Sequence, residues 1–175
     1  DIARTVCSTS VLGFVGVFAR NVSNLLIEEN SLSVIGRLRV GEGGCGASVA
    51  NDSNDHAIYL GGGDSGTIIR RNVIWDSNRG YAVQSFGGTS TNLTIVNNTF
   101  SGNTPTSLPS GQVRLASTIS TATIKNNICH DPQVACFNTA SLTATSVSIT
   151  HNMSDVSDAD LFVASPPAGV TASNN

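Results

Sequence analysis

LTIVNN, residues 93–98, is a segment in which apolar and polar residues alternate until the chain reaches an asparagine. Five other segments share this pattern: LLIEEN (25–30), TIIRRN (67–72), ATIKNN (122–127), VSITHN (147–152) and VTASNN (170–175). Their last asparagines are 42, 26, 29, 25 and 23 residues apart, and self-similarity at a period of roughly 20 to 30 residues is typical of a solenoid. The repeat therefore predicts a solenoid fold.

Each repeat divides into three short strands. The alternating segment is the first, a short apolar piece such as Val73–Trp75 follows the asparagine as the second, and a third strand comes after a loop. The third strands are predicted at 14–18, 56–60, 81–86, 112–115, 134–137 and 161–164. With no helical segment between them, these strands indicate an all-β fold, a right-handed parallel β-helix of about six coils.

The six asparagines have a structural explanation. They are Asn30, Asn72, Asn98, Asn127, Asn152 and Asn175. An asparagine tolerates the left-handed backbone of a corner, and its amide can bond the same group in the coils above and below. We expect a buried internal asparagine ladder, which removes these residues from the search for catalytic groups.

Length and charge limit the classes of function. The 175 residues suit one domain, 1–175, in which 1–11 form an N-terminal segment and 31–55 an insertion at a coil corner. The net charge is -3, only 12% of the residues are charged and Lys125 is the single lysine, so nucleic acid is not an expected partner. The sequence contains no run of about 18 apolar residues, so no membrane span is predicted.

Four cysteines and five N-glycosylation sequons (Asn-x-Ser/Thr) are informative about the cellular location of the protein. Of the three possible pairings we expect Cys129–Cys136, across a short loop, together with Cys7–Cys45. Disulfides indicate an extracellular or cell-surface protein, and four free thiols in a cytosolic protein are the alternative. The sequons begin at Asn21, Asn51, Asn92, Asn97 and Asn152, and they indicate a glycoprotein.

The stretch HAIYLGGGDSGTIIRRNVIWDSNRGYAVQSF, residues 56–86, resembles right-handed parallel β-helix proteins of the pectate lyase-like superfamily. The resemblance extends over residues 12–175. That superfamily includes polysaccharide lyases, glycoside hydrolases, epimerases, phage tailspikes and adhesins. The resemblance therefore implies work on carbohydrates or at a cell surface.

Enzymes of this superfamily usually carry their catalytic groups on the outward side of one sheet. Alternation along the third strands turns Tyr59, Gln84, Arg114 and either Phe162 or Ala164 outward. No pair of carboxylates suited to glycoside hydrolysis falls in these strands, and the Gly-His-Gly of polygalacturonases is absent. The candidate set for a lyase is His56, Tyr59, Tyr81 and Arg114, with Arg70, Arg71 or Arg79 attracting an acidic sugar.

No cofactor is expected, and calcium is the alternative. Two groups of acidic residues bear on it: Asp52, Asp55 and Asp64 around the strand of His56, and Asp155, Asp158 and Asp160 near the last residue. Neither group has the spacing of a calcium-binding repeat, and solvated loops explain both.

The insertion 31–55 contains SVIGRLRVG, residues 33–41, which predicts a strand. An insertion of this length projects from a coil corner. We expect the insertion to have one of three roles: it forms the wall of a groove beside His56, it contacts a neighbouring molecule, or it covers one end of the core.

Two classes of function are compatible with these features. Asn175 ends the sequence on the ladder without a capping helix, so either the sequence is a piece of a longer β-helix or another molecule covers its open end. In the second case we expect self-association head to tail into a filament. The preferred hypothesis is a secreted structural or surface protein that self-assembles or acts as an adhesin. The alternative is a carbohydrate-active enzyme, a polysaccharide lyase or hydrolase, or a fragment of one.

Overall fold

The computed structural model describes residues 7–10, 13–48, 54–77, 79–103, 111–132, 134–155 and 161–175. In these ranges the chain forms a parallel β-solenoid, because the strands pair in parallel with the equivalent strands of neighbouring repeats. The predicted all-β fold is confirmed, but the solenoid has about four turns rather than six. The six asparagines count repeat ends, whereas one sheet has five strands, and four revolutions separate its first strand from its last.

Three faces surround the core. The first face contains β1 (Val17–Ala19), β4 (Ile58–Leu60), β7 (Val83–Ser90), the beginning of β10 (Gly111–Lys125) and β12 (Ala135–Asn138). The second contains β2 (Leu26–Glu28), β5 (Ile68–Arg70), β8 (Leu93–Val96), the end of β10, β13 (Thr143–Thr150) and β15 (Val170–Ser173). The third is a five-stranded sheet of β3 (Ser31–Ser33), β6 (Val73–Trp75), β9 (Thr99–Ser101), β11 (Ile128–His130) and β14 (Met153–Ser154).

The register of the first face decides which side chains reach solvent. Val17 pairs with Ile58, Ile58 with Val83 and Val83 with Val113. Ile58, Val83 and Val113 are fully buried, so this column faces the core. Because side chains alternate along a strand, the next residue in each strand belongs to the outward column.

The asparagine ladder is continuous from Asn30 to Asn175. In each step the side-chain oxygen of one asparagine accepts bonds from the backbone N–H and the side-chain amide of the preceding one, as Asn98 does from Asn72 at 3.0 Å. The left-handed conformation belongs to the residue before each ladder asparagine, for example Asn97 at φ 56° and His151 at φ 55°. The sequence interpretation therefore placed the corner one residue too late.

Three of the predicted third strands begin too early. The observed strands start at Val17, Ile58 and Val83, two or three residues later than predicted. One reason is visible in the third case, where the backbone N–H of Tyr81 donates to His56 Nδ1 instead of a carbonyl oxygen. The last predicted strand, 161–164, is only an isolated bridge between Phe162 and Phe137.

Within the segment 31–55, only residues 31–33 belong to a described strand, β3. The predicted strand in SVIGRLRVG is wrong, because the chain turns at Val34 (φ 53°) and Gly36 (φ 114°). Ile35 and Arg37 are buried rather than projecting into solvent. A 3-10 helix, Glu42–Gly44, follows, and residues 49–53 lie outside the described part of the chain.

Two disulfides join Cys7 to Cys45 and Cys129 to Cys136, each pair with its Cα atoms 5.6 Å apart. The first ties the N-terminal segment to the segment after β3, and the second closes the loop between β11 and β12. In the ranges that the structure describes, no helix is long and apolar enough to cross a membrane.

Candidate functional site

A groove of about 500 Å³ lies on the outer side of the first face, along β1, β4 and β7. Its floor is a glycine turn at which neighbouring coils approach closely. A Cβ atom on Gly62, which has φ 82°, would collide with the carbonyl oxygen of Gly87. The lining residues are Phe18, Arg20, Asn21, Tyr59, Gly61, Gly62, Gly63, Phe86, Gly87, Gly88 and Thr89.

Gly61, which lines the groove, has no side chain and leaves room for its neighbour in the preceding coil. Gly61 follows β4, beside the stem of Arg20 in the preceding coil, whose carbon atoms lie 3.3–3.4 Å from the position of a Cβ on Gly61. The register of β4 with β7 continues to Phe86 in the following coil. The stem of Arg20 therefore packs over Gly61, and Phe86 borders the groove from the following coil.

Aromatic rings connect the groove to the start of the same face. The Phe18 ring lies 5.5 Å from the Tyr59 ring, and the His56 ring lies 5.4 Å from both Tyr59 and Tyr81. Phe18 is 58% exposed and Phe86 44% exposed. Two phenylalanines with so much apolar surface in water, on the rim of one groove, offer faces for a ligand to pack against.

Arg114 joins these rings from the next coil. Its guanidinium carbon lies 5.5 Å from the centre of the Tyr81 ring and 5.6 Å from that of Phe86, distances typical of cation–π contacts. Among the described residues neither Arg114 nor Arg20 forms an ion pair with a carboxylate. The groove is thus locally positive on a chain with a net charge of -3.

Gln84 occupies the outward column between Tyr59 and Arg114, yet it is 4% exposed. Its Oε1 is buried and accepts no hydrogen bond within the described ranges. A buried acceptor without a partner costs roughly 1–3 kcal/mol. Because this atom is inaccessible, Gln84 does not line the groove.

His56 is a buried, neutral hydrogen-bonding group in this structure. Its Nδ1 accepts the backbone N–H of Tyr81 at 3.1 Å, so the proton of the neutral ring is assigned to Nε2. Burial lowers the pKa of His56 to about 3; the charge of Asp55 raises it and that of Arg114 lowers it further. With Nδ1 occupied, His56 is poorly placed to accept a substrate proton.

The lowered pKa of His56 predicts a loss of stability in mild acid. The histidine has a pKa near 6.5 in the unfolded chain and near 3 in the folded one. The stability that comes from neutral His56 is therefore fully present above pH 6.5 and is lost as the pH falls towards 3. At about 1.4 kcal/mol per pH unit, the free energy of unfolding should fall by about 2 kcal/mol between pH 7.5 and 5. Urea unfolding at the two pH values measures this change.

His56→Asn is the matched control for this pH dependence. Asparagine keeps an acceptor for the N–H of Tyr81 but does not titrate, while every carboxylate and the exposed His130 and His151 are retained. We expect the variant to lose about 2 kcal/mol less than the parent over the same interval. An equal loss in both proteins would show that other groups cause the acid sensitivity.

Asp55, next to His56, is the centre of a buried ion cluster. Its carboxylate is 2.9 Å from Arg37 Nη2 and 3.2 Å from Arg79 Nε, and the three side chains are 0–2% exposed. Burial alone raises the pKa of Asp55, but hydrogen bonds from Arg37 and from the N–H of Phe14 outweigh it, so that the pKa lies below its ordinary value. This carboxylate is therefore committed to two arginines and to the backbone.

The structure brings together His56, Tyr59, Tyr81 and Arg114, the four residues chosen from the sequence. It places the three arginines proposed to attract an acidic sugar elsewhere. Arg70 and Arg71 pair with Glu28 and Glu29 at 2.7–2.8 Å beside the second face, and Arg79 is buried on Asp55.

The acidic groups considered for calcium do not assemble in the described ranges, where no cluster of three or more potential metal ligands occurs. Asp55 is paired with arginines, Asp64 accepts the N–H of Val22, and Asp155 contacts His130 at 2.8 Å. Asp52, Asp158 and Asp160 lie outside the described residues.

Sequence reasoning missed Phe18, Phe86 and Arg20. Phe18 and Phe86 carry no acid or base, and Arg20 lies outside the predicted strands, so the pattern of acids and bases in the outward column did not indicate them. Phe18 pairs with Tyr59 in that column, so a search for exposed aromatic residues would have found it. Phe86 is the last residue of its predicted strand, and Arg20 lies two residues beyond the end of another.

No family model, curated protein or solved structure matches this chain at a significant level.

Proposed function

We propose that the protein is an extracellular surface protein that binds an acidic polysaccharide in the groove of the first face, as an adhesin does, without cleaving it. The observation that carries the proposal is the groove between exposed Phe18 and Phe86, flanked by Arg20 and Arg114. Aromatic faces pack against the C–H faces of sugar rings, and guanidinium groups form paired hydrogen bonds with carboxylates. The two disulfides fit an oxidising, extracellular location.

Binding is better supported than catalysis by the groups around the groove. A lyase requires a base that can take a proton from the sugar ring. His56 is buried with Nδ1 occupied, and Asp55 is held by two arginines. Tyr59 and Arg114 then serve as contact residues. Kinship with the pectate lyase-like superfamily belongs to the same proposal, supported by the parallel solenoid and its asparagine ladder.

The proposal predicts selective binding of uronate chains. In calorimetric titrations, tetragalacturonate should bind more tightly than its fully methyl-esterified form, because esterification removes the carboxylates that face Arg20 and Arg114. Arg114→Gln should weaken binding of the acidic form by about tenfold or more, since hydrogen bonds to charged groups contribute roughly 1.5–3 kcal/mol. Added salt should weaken the same complex.

Trp75→Ala is the control, because Trp75 is an exposed aromatic residue on the third face. It should bind tetragalacturonate as the parent does, whereas Phe86→Ala should bind it less well. Equal affinity for the acidic and esterified chains would contradict the ligand class. Ultraviolet absorbance from unsaturated sugar ends during incubation would contradict binding without cleavage and favour a lyase.

A further inference from the structure

Two sequons lie at the same corner of the repeat, but their acceptor asparagines are shifted by one residue relative to the ladder asparagine. In Asn97-Asn98-Thr99 the acceptor asparagine precedes the ladder residue, whereas in Asn152-Met153-Ser154 it is the ladder residue. This difference places one acceptor in solvent and the other in the core.

Asn152 has no hydrogen-bonding capacity left for a modification. Its Oδ1 accepts the N–H and the side-chain amide of Asn127 at 3.1 and 2.9 Å. Its Nδ2 donates to Asn175 Oδ1 at 3.0 Å and to the carbonyl oxygens of Ile124 and Thr150 at 3.2 Å. A sugar on this nitrogen would displace the ladder hydrogen bonds of a residue that is only 3% exposed.

Asn97 has the opposite environment. It is exposed, it occupies the left-handed corner position at φ 56°, and only its backbone N–H is engaged, in a bond to the carbonyl oxygen of Lys125. Its amide nitrogen points to no acceptor in the described part of the chain. The corner lies between β8 and β9, on the other side of the coil from the groove of the first face.

We propose that Asn97 is an acceptor for N-linked glycosylation and that Asn152 is not. The co-reactant is an oligosaccharide linked to a lipid diphosphate. The Asn97 Nδ2 forms a bond to the anomeric carbon of the sugar, the bond from that carbon to the phosphate oxygen breaks, the lipid diphosphate leaves, and Nδ2 loses one proton. A glycan at this corner leaves the groove open, whereas Asn21 lines the groove and a glycan there would cover it.

The test is secretion of the full chain from a eukaryotic host, followed by enzymatic deglycosylation in heavy-oxygen water and mass spectrometry of the peptides. We expect labelled aspartate at position 97 and unlabelled asparagine at position 152. Thr99→Val removes the first sequon and Ser154→Ala the second, and neither touches a ladder asparagine. The first variant should lose one glycan in mass and the second none.

A new sequon, placed in the same position relative to the ladder as that of Asn97, tests the proposal directly. Ile128→Thr creates a new Asn-x-Thr sequon that begins at Asn126, an exposed residue at φ 55° in the same phase as Asn97. We expect a new glycan on Asn126, and none in Ile128→Val, which replaces the same exposed residue without creating a sequon. Occupancy at Asn152, an unmodified Asn97 or an unmodified Asn126 in the secreted protein would overturn the proposal.

Discussion

Asp55→Asn should lower the free energy of unfolding by about 3–5 kcal/mol, since breaking a buried ion pair leaves an uncompensated charge in the core. The replacement keeps the shape and an acceptor oxygen but removes the negative charge between Arg37 and Arg79, both nearly inaccessible to water. For a domain of this size the midpoint of thermal unfolding should fall by roughly 10 °C. Differential scanning calorimetry and urea unfolding at pH 7.5 measure the change.

The control for Asp55 is an ion pair of similar length at the surface. Glu29 lies 2.8 Å from Arg71, with the two side chains 67% and 46% exposed, so Glu29→Gln should cost at most about 1 kcal/mol. Replacing Arg37 by Met in the Asp55→Asn background should recover part of the lost stability, because it removes one of the buried cations. Equal losses in Asp55→Asn and Glu29→Gln would show that the buried cluster is not stabilising.

The fold could be predicted from the sequence because one residue recurs for a local physical reason. The side chain of each buried ladder asparagine, for example Asn98, satisfies backbone groups of its own coil and of the preceding one, so its recurrence reports the stacking of coils directly. The same alternation set Tyr59 and Arg114 in one outward column, and their proximity follows from strand register. The number of turns was overestimated because six repeat ends were equated with six turns, whereas the third face has five strands separated by four revolutions.

Other features of the site depend on contacts that no local pattern reports. Arg37 reaches Asp55 from a segment whose alternation resembles a strand, and only the folded chain shows that this segment turns inward. The packing of the Arg20 stem over Gly61 depends on the register of two neighbouring coils. Head-to-tail stacking stays a prediction, which electron microscopy of the full-length protein can test.

Asn98→Ala should cost about 3–5 kcal/mol in the free energy of unfolding, because several buried polar groups lose their partners at roughly 1–3 kcal/mol each. The backbone N–H of Asn72 loses its acceptor, and the Asn72 amide loses one of its three acceptors, both at 3.0 Å. The carbonyl oxygen of Ile69 and Asn127 Oδ1 lose a donor, also at 3.0 Å. Urea unfolding at pH 7.5 measures the loss.

The cost of removing a ladder asparagine should depend on its position in the ladder. Asn30→Ala should cost less than about 1 kcal/mol, because the exposed Asn30 side chain donates only to Asn72 Oδ1 and to the carbonyl oxygen of Glu28. Asn72 Oδ1 keeps the backbone N–H of residue 30 as a donor, so no buried group is left unpaired. Similar losses in Asn30→Ala and Asn98→Ala would contradict a ladder stabilised by its buried members.

Asn98→Asp distinguishes the two hydrogen-bonding functions of the ladder residue. The carboxylate still accepts from the N–H and amide of Asn72, but its second oxygen faces Asn127 Oδ1 and the carbonyl oxygen of Ile69, where the amide nitrogen donated. A buried negative charge against two acceptors is more costly than a missing side chain. We therefore expect Asn98→Asp to be less stable than Asn98→Ala at pH 7.5, whereas a ladder that served only to accept from the preceding coil would tolerate the aspartate better than the alanine.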